Sequence, residues 1–173
     1  MKFIFLPLLL SFSLQSETNF EQKAQAQSVK LKKSLMKVLK GKIREKGILK
    51  AVEFCHERAL QITADASEKN LKIGRTSSKF RNPQNEPPNW MMEYLKEAEK
   101  TKMQSPYKAK VVTHKGDKYY LEPLYTNGLC LQCHGNPSGK LQNKITKLYP
   151  EDKATDYEAG DFRGFVWVKE VKN

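Results

Sequence analysis

The sequence is poor in the residues that metal and thiol sites are usually built from. It holds three cysteines and three histidines among 173 residues. A structural zinc site takes four such ligands, often from two paired clusters. Only one pair here has the Cys-x-x-Cys spacing, and the other candidates are Cys55, His56 and His114. Zinc therefore stays a minor alternative.

Long apolar runs are scarce as well. The run from Phe3 to Leu14 is broken by one proline and two serines, and it follows a single lysine. This stretch is too short to span a bilayer and is typical of a cleavable secretory signal. We predict a signal peptide over residues 1–16, with an uncleaved anchor as the alternative. No cysteine follows the run to support a lipid anchor, and the expected location is periplasmic or secreted.

Acidic residues are outnumbered by basic ones. The chain has 31 lysines and arginines against 19 acidic residues, a formal net charge of +12. A basic surface attracts acidic proteins, anionic lipids or nucleic acid. The lysines are spread thinly and no nucleic-acid motif accompanies them. We expect an acidic protein partner and no nucleic acid, and leave association with a membrane surface open.

The segment with the clearest chemistry is Cys130-Leu131-Gln132-Cys133-His134. Its Cys-x-x-Cys-His spacing is the attachment signal for a c-type haem, in which two thiols bond to one haem and the histidine ligates the iron. A redox-active thiol pair and a disulfide are the remaining alternatives, but neither gives His134 a role. The sequence predicts one covalent haem c on Cys130 and Cys133, with His134 as an axial ligand.

Two helices are predicted before this segment. The first, about Glu21 to Lys46, carries a narrow apolar stripe of Leu31, Leu35, Val38 and Leu39. Gly41 and Gly47 weaken the helical pattern and predict a bend or an interruption. We interpret residues 17–47 as an N-terminal helical extension. Such a solvated helix could also pair with that of a second copy in a homodimer.

The second helix, about Ile48 to Lys69, places one cysteine on its apolar face. That face consists of Ile48, Val52, Cys55, Ala59, Ile62 and Ala66. His56 is turned about 100° away from Cys55, so periodicity selects Cys55 as the inward residue of the pair. A cysteine in such a position is usually a small buried hydrophobe.

The second half of the chain has a different period. Residues 71–90 are predicted to be irregular, because prolines and asparagines preclude a helix near residue 85. A short helix follows at Trp90–Thr101. Strands are predicted at Tyr107–Thr113, Lys118–Leu124 and Phe162–Val171, the last of them central in its sheet. His114 is expected in an exposed turn. These elements predict an α+β fold.

Several short motifs together carry a resemblance. In chain order they are the helix around Cys55, Arg75-Thr76-Ser77, Arg81-Asn82-Pro83-x-Asn85-x-Pro87, Cys130-Leu131-x-Cys133-His134-Gly135, Tyr149-Pro150-x-Asp152-x-Ala154 and Gly160-Asp161-x-Arg163-Gly164. On these residues the chain resembles the PAS-like c-type haem domains, known as cyanobacterial single-haem proteins and as sensory modules of histidine kinases and chemoreceptors. Asp156 stands where that family has glycine.

The resemblance implies a PAS-like antiparallel sheet with long N-terminal helices packed around it and a covalently bound haem, over residues 48–173. It implies axial ligation of the iron by His134 and Cys55, for which His56 and three methionines, Met91, Met92 and Met103, are the alternatives. Arg75 and Arg81 become candidates to pair with the haem propionates, or else to brace the Pro-rich loop.

These ligands restrict the function. A thiolate ligand favours ferric iron and a low potential, and two protein ligands leave no open position for a substrate. We therefore expect no enzyme, but an exported single-haem c-type cytochrome in electron transfer or redox signalling. The alternative is a periplasmic redox or gas sensor that signals through a partner receptor. No transmitter segment follows the last predicted strand, which favours the electron carrier.

Overall fold

The computed structural model describes residues 10–172, with side chains from residue 19 onward. The signal peptide predicted over residues 1–16 lies largely outside that range. The described elements are α1 (Leu10–Asp65), β1 (Leu71–Thr76), α2 (Met92–Ala98), β2 (Lys110–His114), β3 (Asp117–Tyr125), α3 (Gly128–His134), α4 (Gly139–Leu148) and β4 (Phe162–Glu170). No helix in this part of the chain is both long enough and apolar enough to cross a membrane.

The four strands form one antiparallel sheet in the order β1-β4-β3-β2. The predicted α+β class and the interior position of the last strand are confirmed. The prediction that residues 71–76 are irregular is wrong, because they form β1 at the sheet edge. Leu71 and Ile73 point inward and Lys72 outward, but Gly74 and Arg75 interrupt this short alternation. Residues 71–76 form a strand because they pair with β4, although their own alternation is too short to predict one.

The long helix α1 folds back on itself at Gly47. This residue has φ 76° and ψ 169°, which are not helical values and which glycine adopts more easily than other residues. Lys42 lies 5.1 Å from the centroid of the Phe54 ring, and the Gln27 side chain donates to the Ala66 carbonyl. In a straight helix, residues 27 and 66 would be about 58 Å apart. The predicted interruption is thus confirmed at Gly47, while Gly41 lies within regular helix.

The α1 hairpin covers one face of the sheet. Phe20, Ala24 and Leu31 are buried there against a cluster formed by Leu71, Ile73, Tyr120, Val166 and Val168. The opposite face packs against α2 through Leu95, Ala98 and Phe165. The segment interpreted from sequence as an extension therefore supplies side chains to the main core, and its inner face is occupied by the sheet of the same chain.

Two expectations around α2 and β2 need correction. The helix predicted at Trp90–Thr101 is shorter, because a 3-10 turn over Asn89–Met91 precedes α2. His114 is not an exposed turn residue. It is the last residue of β2, half-buried, with its ring stacked on Trp90 at 4.6 Å between centroids. Stacking on Trp90 covers the His114 ring, even though a polar turn follows directly at residues 115–116.

The packing of α1 predicts the effect of a truncation in its N-terminal half. Leu31 is fully buried, so Leu31→Ala should lower the free energy of unfolding by about 2–5 kcal/mol, through lost apolar contact and the cavity left behind. Urea unfolding of the variant measures this loss. Leu39→Ala, at a half-buried position of the same helix, is the matched control and should cost clearly less. Equal small losses would show that residues 17–47 are not part of the core.

Candidate functional site

Both cysteines of the Cys-x-x-Cys-His segment lie on the short helix α3. Asn127 begins it, because its side-chain oxygen accepts the backbone N–H groups of Leu129 and Cys130 at 3.0 and 3.4 Å. Gly135 ends it, where a Cβ atom would lie 2.8 Å from the Leu131 carbonyl oxygen. Asn127 and Gly135 thus bound about two turns of helix, which carry Cys130, Cys133 and His134 together.

His134 is fixed in orientation and kept neutral. Its Nδ1 lies 2.9 Å from the Ala154 carbonyl oxygen, which can only accept, so Nδ1 carries the proton and Nε2 keeps a free lone pair. Burial holds the pKa of His134 well below its usual range, and the nearby Arg163 and Arg81 lower that pKa further. A neutral imidazole with a free nitrogen is the form that ligates metals.

Arg81 holds three segments of the site together. Its Nη2 donates to the carbonyl oxygens of Cys133 and Ala154 at 2.7 and 3.1 Å, and its Nε donates to the Asp152 carboxylate at 3.1 Å. The second oxygen of Asp152 accepts the Ala154 N–H at 2.8 Å. The Ala154 carbonyl also accepts the hydrogen bond from His134. The Arg81–Asp152 ion pair therefore holds the backbone on both sides of that bond, at Cys133 beside the histidine and at Ala154. The bracing role considered from sequence is what the geometry shows for Arg81.

Cys55 approaches the same region from α1. It is half-buried, whereas its neighbour His56 is exposed and makes an edge contact with Tyr149. Burial raises the pKa of the Cys55 thiol, while Arg75 and Arg81 lie near enough to oppose that rise. Burial also raises the pKa of Cys133, and Cys55 adds to that shift. The structure therefore brings Cys55, Cys133 and two arginines into one electrostatic neighbourhood.

Two further guanidinium groups face this neighbourhood. Arg75 makes one long hydrogen bond, 3.4 Å to the Ala59 carbonyl, and its enclosed Nε has no hydrogen-bond partner. Arg163 donates to the Lys79 carbonyl at 3.1 Å and packs on the Tyr157 ring. Burial lowers the pKa of both arginines, and Arg163 further lowers the pKa of Arg75. Such a pairing of half-buried like charges suits an anion.

Arg163 is the residue that sequence reasoning missed as a site residue. Its signal was a cation two residues before the apolar run Phe165–Val168 of β4. The helix α4 was also missed, although Leu141, Ile145 and Leu148 recur at helical spacing. This helix packs against α1 through Ile145 and Val52, and Cys133 contacts the same small cluster.

The three methionine alternatives lie away from this site, and His56 is turned to solvent beside it. Met91 and Met92 pack in the cluster on the face of the sheet opposite α1, and Met103 is 46% exposed. His56 is exposed on α1. In the described part of the chain, no group of three or more His, Cys, Asp or Glu side chains is arranged to hold a bare metal ion. The zinc alternative finds no ligand set there.

Asp156 lies where glycine was expected, and its backbone conformation accounts for that expectation. Its φ is 61°, in the left-handed region that glycine favours and that aspartate tolerates better than most residues. Its backbone N–H donates to the Gly135 carbonyl at 2.8 Å, next to the Tyr157 N–H, which donates to the His134 carbonyl. These two hydrogen bonds pin the end of α3 to the turn at Asp156.

Comparisons with known proteins identify a family and a related fold. The model of the Tll0287-like family matches residues 13–170. A search of curated proteins found no match. Among solved structures, the crystal structure of the cyanobacterial haem protein Tll0287 matches with a TM-score of 0.61 and 21% identity, covering 84% of this chain and 92% of that one. At that identity the likeness shows the fold alone.

The geometry at Arg81 predicts a large loss of stability when its charge is removed. The Arg81 and Asp152 side chains are only 12% and 9% exposed. Arg81→Met should therefore cost about 3–5 kcal/mol, because a buried carboxylate and two carbonyls lose their donor. Chemical denaturation of the variant measures the loss. Lys30→Met, which removes one partner of an ion pair that is 68% and 57% exposed, is the control and should cost less than about 0.5 kcal/mol. Similar costs for the two would contradict the bracing role.

Proposed function

The chain belongs to the Tll0287-like family, and on that premise we propose that it is an exported single-haem c-type protein of low potential. It would act in electron transfer or redox signalling. The observation that carries this proposal is the convergence of α3, with its Cys-x-x-Cys-His motif, and Cys55 of α1 among three arginines. A structural neighbour of the same fold is described as a haem protein.

In this proposal each residue of the motif has a separate role. The thiols of Cys130 and Cys133, on one helix and three positions apart, form the two thioether bonds to the haem. His134 supplies Nε2 to the iron, since Ala154 holds its Nδ1. Cys55, on α1, would supply a thiolate to the same iron. The haem would contribute a reversible one-electron change at its iron.

The charge of the site fits this group. Three arginines, Arg75, Arg81 and Arg163, lie near His134. Asp152 is the carboxylate of the site, and it is paired with Arg81. That leaves an excess of two positive charges, and a haem carries two propionates. Because Arg81 is engaged by Asp152 and two carbonyls, we assign the propionates to Arg75 and Arg163. The enclosed and unpartnered Nε of Arg75 is the donor that most needs such an acceptor.

Two protein ligands on the iron would leave no coordination position for a substrate, so we propose a redox protein and not an enzyme. The sensor alternative has one observation in its favour. Cys55 belongs to α1, whose N-terminal half packs across the sheet, so a weaker bond between Cys55 and ferrous iron would act on that helix. Hydrogen exchange in α1 that differs between oxidation states would favour the sensor over the carrier.

The proposal predicts covalent haem. When the full chain is exported by a host that matures c-type cytochromes, its intact mass should rise by one haem, and the haem should stay on the denatured polypeptide. Cys130→Ala combined with Cys133→Ala should abolish that attachment, while Cys55→Ala should keep it, because Cys55 forms no thioether. A wild-type chain of unmodified mass from such a host would contradict the proposal.

The assignment of the propionates can be checked in the loaded protein. Arg75→Met should lower the reduction potential, because removing a half-buried positive charge near the iron would destabilise the more negative ferrous state. Lys30→Met removes the same charge from an exposed position and should leave the potential nearly unchanged. Equal shifts in the two variants would assign Arg75 no special relation to the haem.

A further inference from the structure

A cleft of about 370 Å³ lies between α1 and α4. The α1 side of it contributes Leu49, Lys50 and Glu53, and the α4 side contributes Lys140, Lys144 and Lys147. The three lysines of α4 recur at steps of four and three, so they share one face of that helix.

The cleft is strongly basic. Glu53 accepts hydrogen bonds from Lys50 and Lys144, which lower the pKa of its carboxyl to about 2. Glu53 is therefore ionised at neutral pH, and the cations of the cleft still outnumber it by three. The adjoining tip of the α1 hairpin, residues 37–50, carries six lysines and arginines against one glutamate.

The cleft and the candidate site lie against the same small hydrophobic cluster. Val52 lies between Leu49 and Cys55 on α1, and Ile145 follows Lys144 on α4. These two residues pack together with Tyr149, and Cys133 contacts that cluster. A protein seated on the lysines would thus lie one layer of side chains from the cysteine to which haem is proposed to attach.

We infer that this cleft docks a protein partner with an acidic surface that exchanges electrons with the haem, an inference that rests on the proposed function. The partner is a one-electron redox protein. In the exchange it loses one electron as the ferric iron becomes ferrous, and no bond forms or breaks. Complementary charge chiefly accelerates such an encounter and fixes its orientation. A membrane surface fits less well, since the large apolar side chains exposed in the described chain, Met103 and Val171, lie outside the cleft.

The test is the rate of reduction of the ferric, haem-loaded protein by a reduced plant-type ferredoxin, an acidic one-electron protein. In wild type this rate should fall as salt is added. Lys140→Glu with Lys147→Glu should lower the rate at low salt by about tenfold or more and remove its salt dependence. These two lysines are chosen because Lys50 and Lys144 bind Glu53.

The matched control is Lys96→Glu with Lys100→Glu, which makes the same change in net charge at exposed positions on and just after α2. It should change the rate by less than about twofold, because charges on the far side of the sheet lie beyond the screening length. An equal loss of rate in both double variants would show an effect of net charge and would overturn the inference. No loss of rate in either variant would overturn it as well.

Sedimentation with phosphatidylserine-containing vesicles at physiological salt tests whether an anionic membrane surface, and not a protein, binds the cleft. Wild type should stay in the supernatant. Sedimentation that the cleft variant loses and the control keeps would identify a lipid surface as the occupant and overturn the inference. Absence of attached haem would refute the proposed function before any rate is measured, so failure of that proposal and failure of the docking surface are distinguishable.

Discussion

The buried pair of Arg81 and Asp152 is the contact on which the geometry of the candidate site depends. Asp152 binds the guanidinium and the Ala154 N–H, and Arg81 binds the carbonyls of Cys133 and Ala154. The Pro-rich loop, the end of α3 and the segment after α4 are therefore joined at one point. Because Ala154 in turn holds His134 Nδ1, this polar network decides which imidazole nitrogen is free. A network of this kind is stable only when every member is satisfied.

The electrostatics of the site follow from that arrangement. With Asp152 committed to Arg81, the guanidinium groups of Arg75 and Arg163 remain in a partly buried region without a carboxylate partner within the site. Burial and repulsion between like charges are costly unless an anion is bound. The same positive field lowers the pKa of His134, which favours a neutral imidazole, and it opposes the rise that burial causes in the pKa of Cys55. One set of charges thus suits both the iron ligands and the propionates that we propose.

Sequence reasoning was most successful where chemistry or strict periodicity constrains the chain. The inward turn of Cys55, the break at Gly47 and the apolar central strand were predicted from local pattern and are present in the structure. The Cys-x-x-Cys-His spacing is equally local, and the haem attachment that it predicts stays a prediction. It failed where contacts between distant segments decide the outcome. β1 depends on pairing with β4, His114 is half-buried because Trp90 stacks on it, and the first half of α1 is core because it lies on the sheet. Arg163 was hidden inside a strand pattern, and only the fold places its charge beside Arg75 and His134.

The central claim is that His134 and Cys55 hold the iron of a covalently attached haem. The most direct measurement is the absorption and electron paramagnetic resonance spectra of the loaded ferric protein, wild type beside Cys55→Ala. The account predicts a low-spin signal of thiolate character in wild type that is lost in the variant, because no other described cysteine or methionine is placed to replace Cys55. A low-spin spectrum that is unchanged in Cys55→Ala would contradict it and assign the second axial position to another residue.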